Sequence, residues 1–384
     1  MSNESKNLDF STRLLHAPTG IDQLYGSLTV PIFQVSTYNQ SALDEQGEFE
    51  YSRSGNPTRQ AVEETIANLE EGTAGFAFSS GMAAISSVFS IFSSGDEILI
   101  GRDIYGGTYR ALTEFFPRFG IRPRFTDLSN LESLEKEITP STKAIYIETP
   151  SNPLLGITDI RGIVNIAKKH SLITIADNTF MTPYLQKPLT LGVDIVIHSA
   201  TKYIGGHSDV LAGLVIVKDE KLKKQIRFVQ NAFGAVLGPQ DSWLLLRGIR
   251  TLQVRLDRIQ ESSLKIARFL KEQPGIEEVY YPGLEDHPDY ALHHSQATGD
   301  GGIVSFKLNS EEQIKPFLEK LHLPALAVSL GGVESILSYP ATMSHAGMPK
   351  KVREELGITD TLFRLSVGLE SPEDLINDLR QALS

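Results

Sequence analysis

GVDIVIHSATKYIGGHSD, residues 192–209, opens with an apolar run and closes in a loop of small residues around a single lysine, Lys202. A short β-branched run bounded by turn residues reads as a strand covered on both faces, as in a parallel sheet. Similar runs recur along the chain: GFAFS (75–79), EILI (97–100), AIYIE (144–148), ITIAD (173–177) and LVIV (214–217). Helical patterns such as RGIVNIAKKH (161–170) separate them. The alternation predicts an α/β fold, a mainly parallel sheet wrapped by helices, from about residue 55 to residue 245.

Working outward, residues 1–52 carry turn signals and little periodicity, and are expected to form an N-terminal arm. Residues 53–245 form the large domain and 246–384 a smaller α+β domain. DSWLLLRGIRTLQVRLDRIQESSLKIARFLKE (241–272) predicts one long helix or a kinked pair, and GIVSFKL (302–308) a strand. The charge run KDEKLKKQIR (218–227) reads as a solvated helix face. Lys+Arg is 36 and Asp+Glu is 47, so the net charge is −11, the wrong sign for a protein that tracks a phosphate backbone. There is no cysteine, which removes disulfides, thiolate metal sites and cysteine nucleophiles and fits a reducing, cytoplasmic setting. The uncharged run Gly72–Gly95 holds seven serines and reads as a buried strand and helix rather than a membrane span. The start, MSNESKNLDF, has no signal-type apolar stretch.

Ligands of open parallel sheets bind at the carboxyl ends of the strands, and the polar residues collect there. SSGMAA (79–84) opens a helix whose free amides suit a phosphate. GRDIYGGTY places Tyr105 on a glycine-rich turn; TPSNP follows Glu148 and contains Asn152; ITIAD ends at Asp177; the lysine loop follows DIVIH. Neither a G-x-G-x-x-G after the first strand nor a Walker lysine motif is present, which speaks against the rival reading of a nicotinamide oxidoreductase. A phosphate cradle, an aspartate, an aromatic ring and a lysine are what pyridoxal phosphate requires. Taken singly, each has a plainer reading: a surface lysine, a capping aspartate, a helix start, a core tyrosine. Their coincidence at one sheet edge favours the cofactor.

The stretches YSRSGNPTR (51–59), SSGMAA, DIYGGTY, IETPSNP, DNTF, HSATKYIGGHSD, SLGGVES and RLSVGLE (364–370) resemble, in order, those of the Cys/Met-metabolism family of pyridoxal-phosphate enzymes. The resemblance implies a fold of the PLP-dependent transferase type (fold type I), with residues 53–245 as the cofactor-binding domain. It implies that Lys202 links to the cofactor and moves protons, that Asp177 holds the pyridine nitrogen protonated, and that Tyr105 stacks on the ring and acts near the leaving group. Gly81, Met82, Ser199 and Thr201 are implied to bind the phosphate, with Tyr51 and Arg53 reaching it from a neighbouring subunit of a homo-oligomer, usually a tetramer. Arg364, Asn152 and Ser329 are implied to hold the substrate carboxylate.

The expected reaction is β-elimination from L-cystathionine. Val328 stands where γ-acting members often carry an acid, and Gly107 where methionine γ-lyases typically have cysteine; Glu50 and Arg110 are candidates for the distal end of the substrate. γ-Elimination and γ-replacement stay open, because one lysine can serve all of them. The histidines of EDHPDYALHHSQ (285–296) read as a polar surface or subunit contact rather than a metal site, since neighbours on a helix point apart. His198 and His207 read as loop-shaping residues, and no nucleic-acid or membrane partner is expected.

Overall fold

The computed structural model describes residues 8–16, 25–43 and 47–384; the first seven residues of the polar start, and parts of the expected arm, lie outside them. Seven strands form the large sheet: β1 (Ala74–Phe78), β2 (Glu97–Gly101), β3 (Arg122–Thr126), β4 (Thr142–Glu148), β5 (Ile173–Asp177), β6 (Ile195–Ser199) and β7 (Gly213–Val217). Their order is β1-β7-β6-β5-β4-β2-β3. β3, β2, β4, β5 and β6 run parallel, while β7 is antiparallel to both β6 and β1. Strands β6 and β7 are almost wholly buried, as their continuous apolar runs require. β3, RPRFT, lacks that signature because it is an edge strand with half-exposed arginines, and the apolar-run reading passes over it.

Helices Ile160–Lys169, Pro57–Leu69 and Gly81–Phe89 cover the sheet. Two apolar clusters, one on each face, contain Ile145, Val196 and Leu214 on one side and Phe76, Ile197 and Val215 on the other. Alternate residues of one strand thus feed opposite cores. The expected long helix is a kinked pair, Pro239–Ile249 and Leu252–Lys271, broken at Arg250–Thr251. Beyond it a second sheet has β8 (Ile276–Tyr280), β9 (Ile303–Leu308), β10 (Ala325–Leu326), β11 (Ile336–Ser338) and β12 (Leu362–Ser366), ordered β10-β11-β12-β9-β8.

His293 and His294 do not point apart as expected. On helix Tyr290–Gln296, His293 is buried with Nε2 2.8 Å from the Gly299 carbonyl, and both rings approach Asp300, at 3.5 and 3.1 Å. The tight turn after the helix brings Asp300 back beneath its last turn, which the sequence spacing does not reveal.

β7 passes close to the start of helix Gly81–Phe89: a Cβ on Gly213 would lie 2.0 Å from the backbone oxygen of Ser80. Only glycine permits that approach. We expect Gly213→Ala to cost about 1–3 kcal/mol, read as a lower Tm, and to weaken phosphate-dependent cofactor retention in the same protein.

Candidate active site

A cavity of about 590 Å³ lies at the carboxyl ends of the parallel strands, roofed by the second sheet. Its walls bring together Lys202, Asp177, Tyr105, Gly81, Met82, Ser199 and Thr201, all predicted from the sequence. Arg364, Asn152, Ser329, Arg110 and Val328 join them. Tyr51, Arg53 and Glu50 do not. Tyr51 is 45% exposed, Glu50 is exposed, and Arg53 gives its NH1 to the carbonyl and side-chain oxygens of Asn231, at 2.7 and 3.0 Å.

Each group is set by its local chain. Ser80 caps helix Gly81–Phe89, its hydroxyl accepting from Ala83 N at 3.1 Å, so the amides of Gly81 and Met82 remain free at a positive helix end. Ser199, ending β6, packs against that end: a Cβ on Gly81 would meet its Oγ at 2.8 Å. Asp177, ending β5, accepts from Thr179 N at 3.0 Å and Thr179 Oγ1 at 2.5 Å on one oxygen, and from the Tyr146 hydroxyl at 3.2 Å on the other. Thr179 Oγ1 in turn accepts from Ser199 N at 2.8 Å. Burial pushes Asp177 above the ordinary carboxylate range, opposed by those donors.

Lys202 Nζ donates to Ser329 Oγ at 2.6 Å. Burial, with the nearby Arg364 cation, lowers its pKa to about 8, so about a tenth is a neutral amine at pH 7, far more than for an ordinary lysine. Ser329 has φ of +85°, an unusual left-handed conformation for a residue other than glycine. Gly331, at φ +77°, lets the same segment lie on the lysine loop, where a Cβ would sit 2.6 Å from Tyr203 N. Arg364, buried on β12, donates NH1 to Asn152 Oδ1 at 2.9 Å and NH2 to the Ser329 carbonyl at 2.8 Å and Ser338 Oγ at 3.1 Å. Its Nε has no hydrogen-bond partner among the described residues. Burial lowers its pKa to about 10, which leaves it a cation.

Pyridoxal phosphate fits this donor set. Free helix amides with the Ser199 and Thr201 hydroxyls suit the phosphate, the Asp177 carboxyl suits a ring nitrogen, and the Lys202 amine suits the aldehyde. The orphaned Nε of Arg364 leaves a donor to spare. The sequence reading missed Thr179 and Tyr146. Both had local signals: Thr179 stands two residues after Asp177, the spacing of an Asx turn, and Tyr146 shares a strand face with Glu148.

The family model for Cys/Met metabolism PLP-dependent enzymes matches residues 11–384. Cystathionine beta-lyase MetC of Bacillus subtilis (strain 168) is 57% identical over 377 residues, spanning 98% of this chain and 97% of the relative. Cystathionine gamma-lyase of the same strain is 53% identical over 372 residues, spanning 97% and 98%. Among solved structures, cystathionine gamma-lyase from Lactobacillus plantarum complexed with L-serine aligns with a TM-score of 0.96 at 48% identity, covering 98% of each chain.

With cofactor removed, acylation of Lys202 should follow its neutral form. Labelling rates read by mass spectrometry across pH should have a midpoint of about 8, against about 10.4 for an unperturbed lysine. Arg364→Ala should move the midpoint upward, since it removes a neighbouring positive charge.

Proposed function

The chain belongs to the Cys/Met metabolism PLP-dependent enzymes, and from that premise we propose that it is a cystathionine β-lyase, cleaving L-cystathionine to homocysteine, pyruvate and ammonia. The observation that carries this reading is the Lys202 amine, its pKa depressed by burial and by the buried carboxylate receptor Arg364, in one cavity with Asp177. Bound pyridoxal phosphate supplies an aldehyde for amine condensation and an electron-withdrawing ring that stabilises negative charge at the substrate α-carbon.

Arg364 receives the α-carboxylate of the amino acid, with Asn152 and Ser329 orienting its guanidinium. That fixes which face of the α-carbon meets Lys202. Lys202 would take the α-proton as a general base; its depressed pKa suits a base working near neutral pH. Asp177 would hold a proton at the ring nitrogen of the bound cofactor. Tyr105, over the glycine turn, stands beside the departing sulfur, and Lys202 can return its proton there. The homocysteine thiol then leaves, and water completes the release of pyruvate and ammonia.

Val328 supports β- over γ-chemistry. It lines the cavity beside Ser329 and is 65% exposed, so the wall there offers an apolar surface in place of an acid. Arg110 supplies a cation for the distal carboxylate of cystathionine. Glu50 is exposed outside the cavity and is assigned to the distal end only across a subunit contact.

We assign Tyr51 and Arg53 the same route, reaching the phosphate of a neighbouring subunit in a cytoplasmic homo-oligomer, a tetramer built from two active dimers. Their position outside their own chain's cavity supports this, as do the exposed Ile32, Phe33 and Phe233.

Holoenzyme given L-cystathionine should yield homocysteine with pyruvate; cysteine with 2-oxobutyrate would make it a γ-lyase and remove the role given to Val328. Lys202→Ala should lose at least about 100-fold in kcat, the scale of a general base. Mixed with Arg53→Ala, Lys202→Ala should recover activity through hybrid oligomers. Confirmed subunit exchange without recovery would place Arg53 outside a shared site.

A further inference from the structure

We propose that Glu148 is a positioning residue that works as a neutral acid, holding the backbone of Tyr105 while leaving Asp177 as the one charged carboxylate beneath the cofactor. The proposal rests on the cofactor-binding reading above. Glu148 ends β4 directly opposite Asp177 at the end of β5, in parallel register. Both side chains line the same cavity. Two carboxylates sharing one site do not both ionise readily, so the distribution of donors decides which keeps the charge.

The donors favour Asp177. It accepts two hydrogen bonds from Thr179 and one from Tyr146. Glu148 has two backbone donors, the N–H of Tyr105, accepted by Oε2 at 2.9 Å, and that of Asn152. Asp177 and Asp103, both acids, raise Glu148, and the Arg364 cation acts on it in the opposite sense. Arg364, on β12, senses Glu148 but gives its hydrogen bonds to Asn152, Ser329 and Ser338. Tyr146, on β4, and Tyr105 complete the titratable groups facing it. Burial first, and then the charge of Asp177, push the Glu148 carboxyl well above the usual range.

A protonated Glu148 keeps a lone pair on Oε2 for the Tyr105 amide and carries an O–H as donor at the cavity wall. The amide bond fixes the start of helix Gly106–Arg110, and with it the ring of Tyr105. A neutral group here also does not compete with the substrate carboxylate for Arg364. An ionised one would.

Infrared difference spectra of the holoenzyme, wild type minus Glu148→Gln without substrate, test the proton directly. We expect a carboxylic-acid carbonyl band in the wild type at neutral pH, sensitive to D2O exchange. Carboxylate stretches in its place would overturn the proposal. Glu148→Ala should lower kcat/KM about tenfold, the scale of one lost hydrogen bond, and Glu148→Gln should recover most of that loss because the amide is a neutral acceptor. Equal losses in both variants, each with an unchanged melting profile, would also overturn it. The infrared band needs no turnover, so a wrong assignment of the reaction would leave it intact and show only as missing cystathionine cleavage.

Discussion

The site depends on a short relay of hydrogen bonds across two neighbouring strands. The amide of Ser199, ending β6, donates to Thr179 Oγ1 at 2.8 Å, and Thr179 Oγ1 donates to Asp177 Oδ1 at 2.5 Å. The hydroxyl serves both ends because it accepts and donates at once. It therefore sets the distance between the Asp177 carboxylate and the loop that carries Lys202. Where a buried carboxylate must stay charged, such donors are what offset its desolvation.

Around that relay the charges are arranged so that each neighbour sets the state of the next. Burial, and then the Arg364 cation, lowers the pKa of Lys202. Burial, and then the charge of Asp177, raises Glu148. Asp103, beside Ser151, is pushed up to about 6 by burial. Burial and neighbouring charge thus set the states of a pocket that contains several ionisable groups, as expected where a base has to work near neutral pH.

Legibility in the sequence followed the range of each interaction. The β5 and β6 strands, the capped helix after β1 and the lysine loop are announced by residues next to one another, so their signals are local. The edge strand β3 was not legible, because half-exposed arginines break the apolar pattern. The approach of His293 and His294 to one aspartate was misread for a related reason: helix geometry separates neighbours, and a tight turn beyond the helix brings Asp300 to both.

The sequence by itself determined the α/β architecture and which residues gather at the strand ends, since period, glycine placement and strand-end chemistry are written within a few residues of each site. The tertiary structure decided what lies far apart in the chain. Arg364 meets Asn152 across 212 residues, and Lys202 meets Ser329 across 127. Parallel register set Glu148 opposite Asp177. The left-handed backbone of Ser329 and the exclusion of Tyr51 and Arg53 from their own chain's cavity were likewise products of packing. Protonation states belong to this second group, because a pKa is fixed by burial and by neighbours, and neither exists until the chain has folded.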